Sequence, residues 1–228
     1  MPYRRSKFNR KRRRRYYKKK DTVKKVRRAV RKIQRAIETK HFIKYESSFT
    51  PSNVTPAPLT PQPVIGDQGA DASGFIGVKY HAVGIKVSAV IKKNDLITAE
   101  VGNVRFVGLW VKNIPSSGSV TWTTYFEEED DFAATIPPFL APLRSSQAKN
   151  VKVLWDKKYS LGRCNAGSSF AAGNQQININ FYKPINSPVV MDDTLGRKTK
   201  GALVIYTCTE YANAQVMLMN TKFYFKDP

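Results

Sequence analysis

The residues best suited to chemistry in this 228-residue chain are its clustered lysines and arginines. The tract 4–20, RRSKFNRKRRRRYYKKK, is dominated by basic side chains and interrupted by Phe8, Tyr16 and Tyr17. Arginine binds phosphate oxygens through a planar fork of donors, and lysine binds them as a point charge. Aromatic rings provide faces on which unpaired bases stack. The pattern predicts binding of single-stranded nucleic acid with little dependence on base sequence.

A second basic segment follows, and its apolar residues have helical spacing. Five Val and Ile residues between Val23 and Ile37 recur three or four positions apart, which predicts an amphipathic helix over about 22–38. Asp21 or Thr22 supplies the N-cap. The other faces of this helix are basic, so we expect it to order on nucleic acid or against its own domain.

The charge divides the chain into a basic part and a nearly neutral part. Residues 1–44 contain 21 Lys and Arg against two acidic residues, a net charge of +19, whereas residues 45–228 contain 18 against 15, a net charge of +3. We expect a disordered Arg/Lys-rich arm over 1–20, the helix over 21–39 and one folded domain over 40–228. A solubility tail or a nuclear-import signal is the alternative interpretation of the arm. The predicted nucleic-acid-binding residues are Arg4, Arg5, Lys7, Arg10, Lys11, Arg12, Arg13, Arg14, Arg15, Tyr16, Tyr17, Lys18, Lys19, Lys20, Lys24, Lys25, Arg27, Arg28, Arg31, Lys32 and Arg35.

The folded part contains one acidic and one basic cluster. The acidic run is Glu127, Glu128, Glu129, Asp130 and Asp131. Adjacent carboxylates repel one another unless a cation compensates them, so a divalent cation at a subunit contact, or a basic patch on a neighbouring subunit, is the functional interpretation. A solvated acidic loop is the simpler one. The basic loop 195–200 contacts phosphate or is merely solvated.

Catalytic and redox chemistry find little support in the sequence. His41 and His81 are the only histidines, and the chain has neither a GxxxxGK[ST] nor a GxGxxG phosphate loop. Cys164 and Cys208 have no metal-binding or redox spacing, so we predict two buried thiols. No apolar run is long enough for a membrane span, and the basic N-terminus lacks the apolar core of a signal peptide. We expect no enzymatic activity and no cofactor.

The folded part reads as all-β. Strand-like runs, several with period two, occur at 41–49, 76–81, 84–92, 101–112, 119–126, 151–161, 175–183, 202–211 and 215–226. Eight or nine strands predict a two-sheet sandwich, either a jelly roll or an immunoglobulin-like sandwich, and the chain lacks the Cys…Trp…Cys spacing of the latter. Trp110, Trp122 and Trp155 lie in these runs and are predicted to be core or subunit-contact residues. The loops at 51–73 (rich in proline), 113–118, 127–150 and 184–200 are predicted to be exposed or interfacial.

Several sequence stretches, in order, carry a family resemblance. They are RKRRRRYYKKK at 10–20, VGIKV at 83–87, VRFVGLW at 104–110, VKVLWDKKYSL at 151–161 and FYFKD at 223–227. With these stretches the chain resembles the single jelly-roll capsid proteins of small circular, Rep-encoding single-stranded DNA viruses, the circovirus-like group. The resemblance covers essentially the whole chain and favours an eight-stranded jelly roll.

The resemblance implies a virion protein. About 60 subunits would close an icosahedral T=1 shell, with the jelly roll as its wall and the arm pointing inward onto single-stranded DNA. The basic arm predicts residence in the host nucleus during assembly, and host nuclear import machinery and an unknown cell receptor are the further candidate partners. Coat proteins of small satellite-like RNA viruses share the basic arm and helix, and a cellular basic nucleic-acid-binding protein is a further alternative.

Overall fold

The structure is a computed structural model that divides the chain into two units, Met1–Glu38 and Thr39–Pro228. It describes residues 22–26, 39–64, 77–93, 103–115, 120–132, 134–161, 176–192, 194, 197–210 and 215–227. In the first unit, residues 22–26 are helical and exposed. No helix in the described ranges has the length and apolar character needed to cross a membrane.

The second unit is built from strands. These are β1 (Lys40–Phe49), β2 (Lys79–Lys93), β3 (Asn103–Asn113), β4 (Val151–Ser160), β5 (Gln176–Asp192), β6 (Arg197–Thr209) and β7 (Gln215–Lys226). A four-residue helix, Trp122–Tyr125, and a 3-10 turn, Ser145–Gln147, lie between β3 and β4. The predicted all-β class is confirmed.

The strand pairing is that of a jelly roll. The order is β1-β7-β2-β5-β6-β3-β4, with antiparallel neighbours throughout. An extended segment around Leu59 pairs with Ile205 of β6 through two backbone hydrogen bonds of 2.9 and 2.8 Å. Counting this segment as the second strand, the first pairs with the eighth, the second with the seventh, the third with the sixth and the fourth with the fifth. This nested pairing is the double Greek key of the predicted jelly roll.

The sheet folds over on itself at the corner between β5 and β6. These two strands pair only near Asp192 and Arg197. Beyond the corner, Phe181 of β5 contacts Phe106 of β3 and Trp155 of β4, with ring centroids 6.3 and 5.0 Å apart, although neither strand is its neighbour in the sheet. One layer is therefore β1-β7-β2-β5 and the other is β6-β3-β4, with the main core between them.

A second apolar cluster lies on the outer side of the β6-β3-β4 layer. Leu109 and Tyr206 on these strands pack with Trp122, Tyr125 and Phe126 from the connection between β3 and β4. We call residues 120–143 of this connection the outer segment. Because both faces of β3 are covered, eight consecutive residues of this strand are buried.

The proline-rich segment is not the plain surface loop that was predicted. Its described part is extended, but Pro51, Pro56 and Pro61 are buried. The Gln62 side chain accepts a hydrogen bond of 2.7 Å from the Leu203 amide, as the backbone of a neighbouring strand would. Prolines lack the amide proton for a full ladder, so this second strand is reduced to two isolated bridges, Leu59 with Ile205 and Ser52 with Cys208, which cover the edge of β6.

Two other predicted loops also differ from the structure. The segment 127–150 includes buried residues, Phe139 and Ala141 among them. In 184–200, β5 continues to Asp192 and β6 begins at Arg197, so the predicted basic loop is largely strand. Pro184 and Pro188 are accommodated in β5 because they pair with β2 alone, which leaves one edge of β5 without a ladder there.

The predicted strand boundaries contain two further errors. The runs 76–81 and 84–92 form one strand, β2, with a bulge between Ala82 and Gly84. The run 119–126 is not a strand, because it contains the helix Trp122–Tyr125. The other runs contain strands that begin or end within a few residues of the prediction, apart from β5 and β6, which extend well beyond it.

Candidate functional site

The structure describes only a small part of the predicted nucleic-acid-binding segment. Lys24 and Lys25 lie in the exposed helical stretch 22–26, beside Val23 and Val26, which are 49% and 56% exposed. The other predicted binding residues lie outside the described residues, as does the arm 1–20. The helical spacing is thus observed over 22–26, and the binding role remains a prediction.

The acidic run forms one side of a small hairpin. The Ile136 amide donates to the Glu128 carbonyl, and the Asp130 amide donates to the Ala134 carbonyl, at 2.7 and 3.0 Å. The Asp130 carboxylate accepts from the amides of Phe132 and Ala134, both at 2.9 Å, and so fixes the turn. A local turn role thus accounts for one of the five carboxylates.

The predicted metal ligands do not converge. In the described parts of the chain, no three His, Cys, Asp or Glu side chains are close enough together to hold a metal ion. Glu128 and Glu129 instead line an open cleft of about 450 Å³, together with Glu210 and the apolar wall formed by Trp122 and Pro137. Such a lining suits a basic side chain better than a chelated ion.

The strongest polar cluster was not predicted from the sequence. Arg105 of β3 points to the outer side of its layer, and its side chain is only 6% exposed. The guanidinium forms a bidentate pair with Asp156 of β4, through Nε to Oδ1 at 2.9 Å and Nη2 to Oδ2 at 2.7 Å. Its Nη1 donates to the carbonyls of Pro138 and Ala141 at 3.1 and 2.7 Å. Arg105 therefore fastens the outer segment to the β6-β3-β4 layer.

Aromatic rings surround this guanidinium. Its Cζ lies 5.3 and 5.9 Å from the ring centroids of Phe126 and Trp122. These two rings stack on each other at 3.7 Å. Cation–π attraction and the carbonyl bonds compensate the buried charge, so the cluster is structural. A single Arg inside the apolar run VRFVGLW was the available sequence signal.

The three tryptophans are core residues, which was one of the two predicted roles; the other was a subunit contact. Trp110, Trp122 and Trp155 are at most 3% exposed. Trp110 donates from Nε1 to Ser187 at 3.2 Å, and the Nε1 groups of the other two have no hydrogen-bond partner among the described residues. None of the three rings is available as a stacking platform for bases.

The described thiol is buried, as predicted. Cys208 is free and 0% exposed, and burial raises its pKa to about 12. A thiol with so high a pKa carries almost no thiolate at neutral pH, so it is unreactive. Cys164 lies outside the described residues. His41 is half-buried on β1 and His81 is exposed on β2.

Comparison with known proteins found few similarities. No protein-family model and no curated protein matches the chain. Among solved structures, the chain is similar to a chain from Desmodium yellow mottle tymovirus, with 11% identity and a TM-score of 0.30. The alignment covers 84% of this chain and 87% of that one. A similarity at this level carries no argument about function, which must rest on the strand pairing and on the charge distribution.

Proposed function

We propose that this chain is a viral capsid protein. Its jelly-roll domain forms the wall of a small closed shell, and its basic segment 1–39 holds a single-stranded genome inside. The observation that carries the proposal is the combination of a jelly-roll domain with a charge of +3 over residues 45–228 and a segment of +19 over residues 1–44.

The charge partition matches what a packaging subunit needs. A nearly neutral wall lets identical domains approach one another at physiological salt, whereas N-terminal segments with a charge of +19 over residues 1–44 repel one another until a polyanion neutralises them. In a T=1 shell of about 60 copies, residues 1–44 supply about 1,100 positive charges in all, comparable to the phosphates of a genome of one to a few thousand nucleotides. Binding of the genome is thereby coupled to assembly.

The finer assignments follow the family resemblance. The VKVLWDKKYSL stretch favours a circular single-stranded DNA genome, and a satellite-like single-stranded RNA virus is the alternative. The basic arm also fits recognition by nuclear import machinery, which places assembly in the host nucleus and the product in the virion. The protein then acts by assembly and binding, with no catalytic step. A cellular nucleic-acid-binding protein would carry its charge across the folded domain, and here that domain is nearly neutral.

Electron microscopy of the purified full chain, with and without single-stranded DNA at moderate salt, tests this proposal. We expect uniform closed particles that form more readily with DNA. The matched variant replaces Arg12, Arg13, Arg14 and Arg15 with serine, and we expect it to keep the far-UV circular dichroism of the folded domain but to need more DNA for closure. Wild-type protein that binds DNA yet stays monomeric or dimeric would contradict the capsid assignment. Parallel assembly with single-stranded RNA compares the two genome types.

A further inference from the structure

The two outer faces of the jelly roll differ in composition. The outer segment covers the β6-β3-β4 layer with apolar side chains, whereas the β1-β7-β2-β5 layer has no such cover and presents polar, aromatic and some aliphatic side chains, such as the 53% exposed Ile43, to solvent. Six residues define the exposed surface, which we call the Lys–Tyr face: Tyr45, Lys86, Lys92, Tyr182, Lys222 and Tyr224.

The strand register shows that these six side chains share one face. Tyr45 lies opposite Asn220, Lys86 opposite both Lys222 and Tyr182, and Lys92 opposite Val216. Side chains alternate along a strand, and the β7 residues between them, Met217, Met219, Thr221 and Phe223, are at most 1% exposed on the core side. Tyr45 is 61% and Tyr182 49% exposed.

The charge on this face has one sign. Residues paired across the strands form rows on this face. The first row is His41, Tyr224 and Gly84, and the last is Val216, Lys92 and Gln176. Between these rows, no described outward-facing residue is acidic. Lys86 and Lys222 are direct cross-strand neighbours. Like charges in that position destabilise a sheet. An anion bound between the two lysines would offset this repulsion.

Aromatic rings lie beside two of the lysines, Lys86 and Lys222. Tyr182 and Tyr224 lie 6.0 Å apart, and Lys222 Nζ is 5.6 Å from the Tyr224 ring. The Tyr182 side chain lies over Gly84, where a Cβ would collide with its hydroxyl group, so glycine lets the ring lie close to the sheet. Burial, followed by the neighbouring Tyr224, raises the pKa of Tyr182, so this hydroxyl stays uncharged beside a phosphate.

The amide side chains supply the remaining recognition chemistry. Asn178, Asn180 and Asn220 are exposed on the same face, and their amides carry donors and acceptors for base edges. The Asn180 Oδ1 already accepts from Ser88 Oγ at 3.4 Å, which leaves its amide nitrogen as the donor. A cationic surface with accessible aromatic rings is the general chemistry of sequence-tolerant single-strand binding.

We propose that the Lys–Tyr face is a second contact surface for single-stranded nucleic acid, in addition to the basic segment. Phosphates lie on Lys86, Lys92 and Lys222, and bases stack on Tyr45, Tyr182 and Tyr224. This inference rests on the proposed function and extends it, because it assigns one layer of the wall to the genome side of the shell.

The test compares two full-chain variants of equal charge. Lys86→Ser with Lys222→Ser removes the cross-strand pair, and Lys149→Ser with Lys152→Ser removes two exposed lysines from the other layer and its preceding turn. Fluorescence anisotropy with labelled oligothymidylate measures the affinity of each. We expect the first variant to bind more weakly than the second. Raising the salt concentration from about 50 to about 200 mM should weaken DNA binding by the wild type about sevenfold more than binding by the Lys86/Lys222 variant. Each lost phosphate contact lowers the slope of log affinity against log salt by about 0.7, and this variant loses two contacts.

Photochemical crosslinking gives an independent readout. Ultraviolet irradiation of the complex, followed by mass spectrometry, should attach thymidine to Tyr45, Tyr182 or Tyr224. The control ring is the half-buried Tyr159 on β4, which should remain unmodified. Urea unfolding should show the Lys86/Lys222 variant to be as stable as the wild type or more stable, since a like-charge pair is removed.

The possible outcomes separate this inference from the proposed function. Equal affinities and salt slopes for both variants, or crosslinks confined to the basic segment, would overturn the Lys–Tyr face and leave the capsid proposal intact. Wild-type protein that neither binds oligothymidylate nor forms closed particles would contradict the proposed function itself. Weaker binding by the Lys86/Lys222 variant alone, with crosslinks on the face, supports the inference.

Discussion

Removal of Asp156 should destabilise the domain more than apolar replacement of its buried partner, Arg105. The Asp156 side chain is 38% exposed and that of Arg105 only 6%. Asp156→Ala therefore leaves a permanently charged guanidinium buried without its carboxylate. Breaking a buried pair in this way costs about 3–5 kcal/mol of unfolding free energy.

Replacement of the arginine leaves a different set of groups unsatisfied. Arg105→Met fills most of the volume and frees a carboxylate that water can reach. The carbonyls of Pro138 and Ala141 lose their donor. Each lost hydrogen bond lowers the unfolding free energy by about 1 kcal/mol if water partly replaces the donor. We expect a cost of about 2 kcal/mol, smaller than that of Asp156→Ala. The double variant should be no less stable than Arg105→Met alone, so the coupling energy should equal the Asp156→Ala cost, about 3–5 kcal/mol.

Guanidinium chloride unfolding, followed by tryptophan fluorescence and far-UV circular dichroism, measures the stability of the wild type, the two single variants and the double variant. Glu46→Ala, which breaks the more exposed pair with Lys44, is the control and should cost less than about 1 kcal/mol. Additive single substitutions, or an Asp156→Ala cost below that of Arg105→Met, would refute the reasoning that the buried charge dominates.

Three further predictions concern the core. Burial raises the pKa of Tyr125 from 10.0 to about 12, so the folded chain keeps this proton longer than the unfolded chain, and stability is lost as the pH rises from 10 through 12. Tyr125→Phe should reduce that alkaline loss and leave neutral-pH stability unchanged or higher, because the hydroxyl has no partner among the described residues; guanidinium unfolding at neutral and alkaline pH measures both. In a Cys164→Ser chain, Cys208 should react with a thiol reagent only as fast as the protein unfolds, and rapid labelling of folded protein would be the contrary result. Gly108→Ala should cost about 1–3 kcal/mol, because its Cβ would collide with the Trp155 indole, and an unchanged melting temperature would show that the ring can move away.

The sequence predicted the strands best where neighbouring strands impose a simple pattern. The expected runs 41–49, 101–112, 151–161 and 215–226 lie within two residues of β1, β3, β4 and β7 at every boundary. Each has either period-two alternation or a continuous apolar run, and both are reliable signals for half-buried and fully buried strands.

The error at 119–126 arises because strand and helix periods coincide there. Trp122 and Phe126 are four residues apart, which is two strand periods and about one helical turn. In the structure they stack within a helical turn, with Tyr125 buried on the same side. In a strand, Tyr125 would point away from Trp122. Burial of Tyr125 against the β6-β3-β4 layer, a tertiary effect, decides between the two.

The buried ion pair joins two of the sequence stretches that carry the family resemblance. Arg105 belongs to VRFVGLW and Asp156 to VKVLWDKKYSL, two of the stretches on which the family resemblance is based. Lys158 faces Arg105 directly across the β3–β4 ladder, and Asp156 compensates the charge from two residues away. Pairing of these strands could not be derived from either stretch alone, since 40 residues, 111–150, separate the two stretches in the chain.

The contrast between the two layers follows from their strand patterns. The buried residues of β3 are contiguous, so both of its faces need an apolar cover, and the outer segment provides one. β5 alternates between buried or half-buried and exposed residues along most of its length, so its outward side is soluble without a cover. Within the described domain, the layer of β5 is thus the one that keeps a sheet face free for a polar partner. Under the proposed genome contact on that side, the packed outer segment would face the opposite side of the shell wall. This assignment is why the effects of Arg105 and Asp156 should appear in unfolding, and those of Lys86 and Lys222 in nucleic-acid binding.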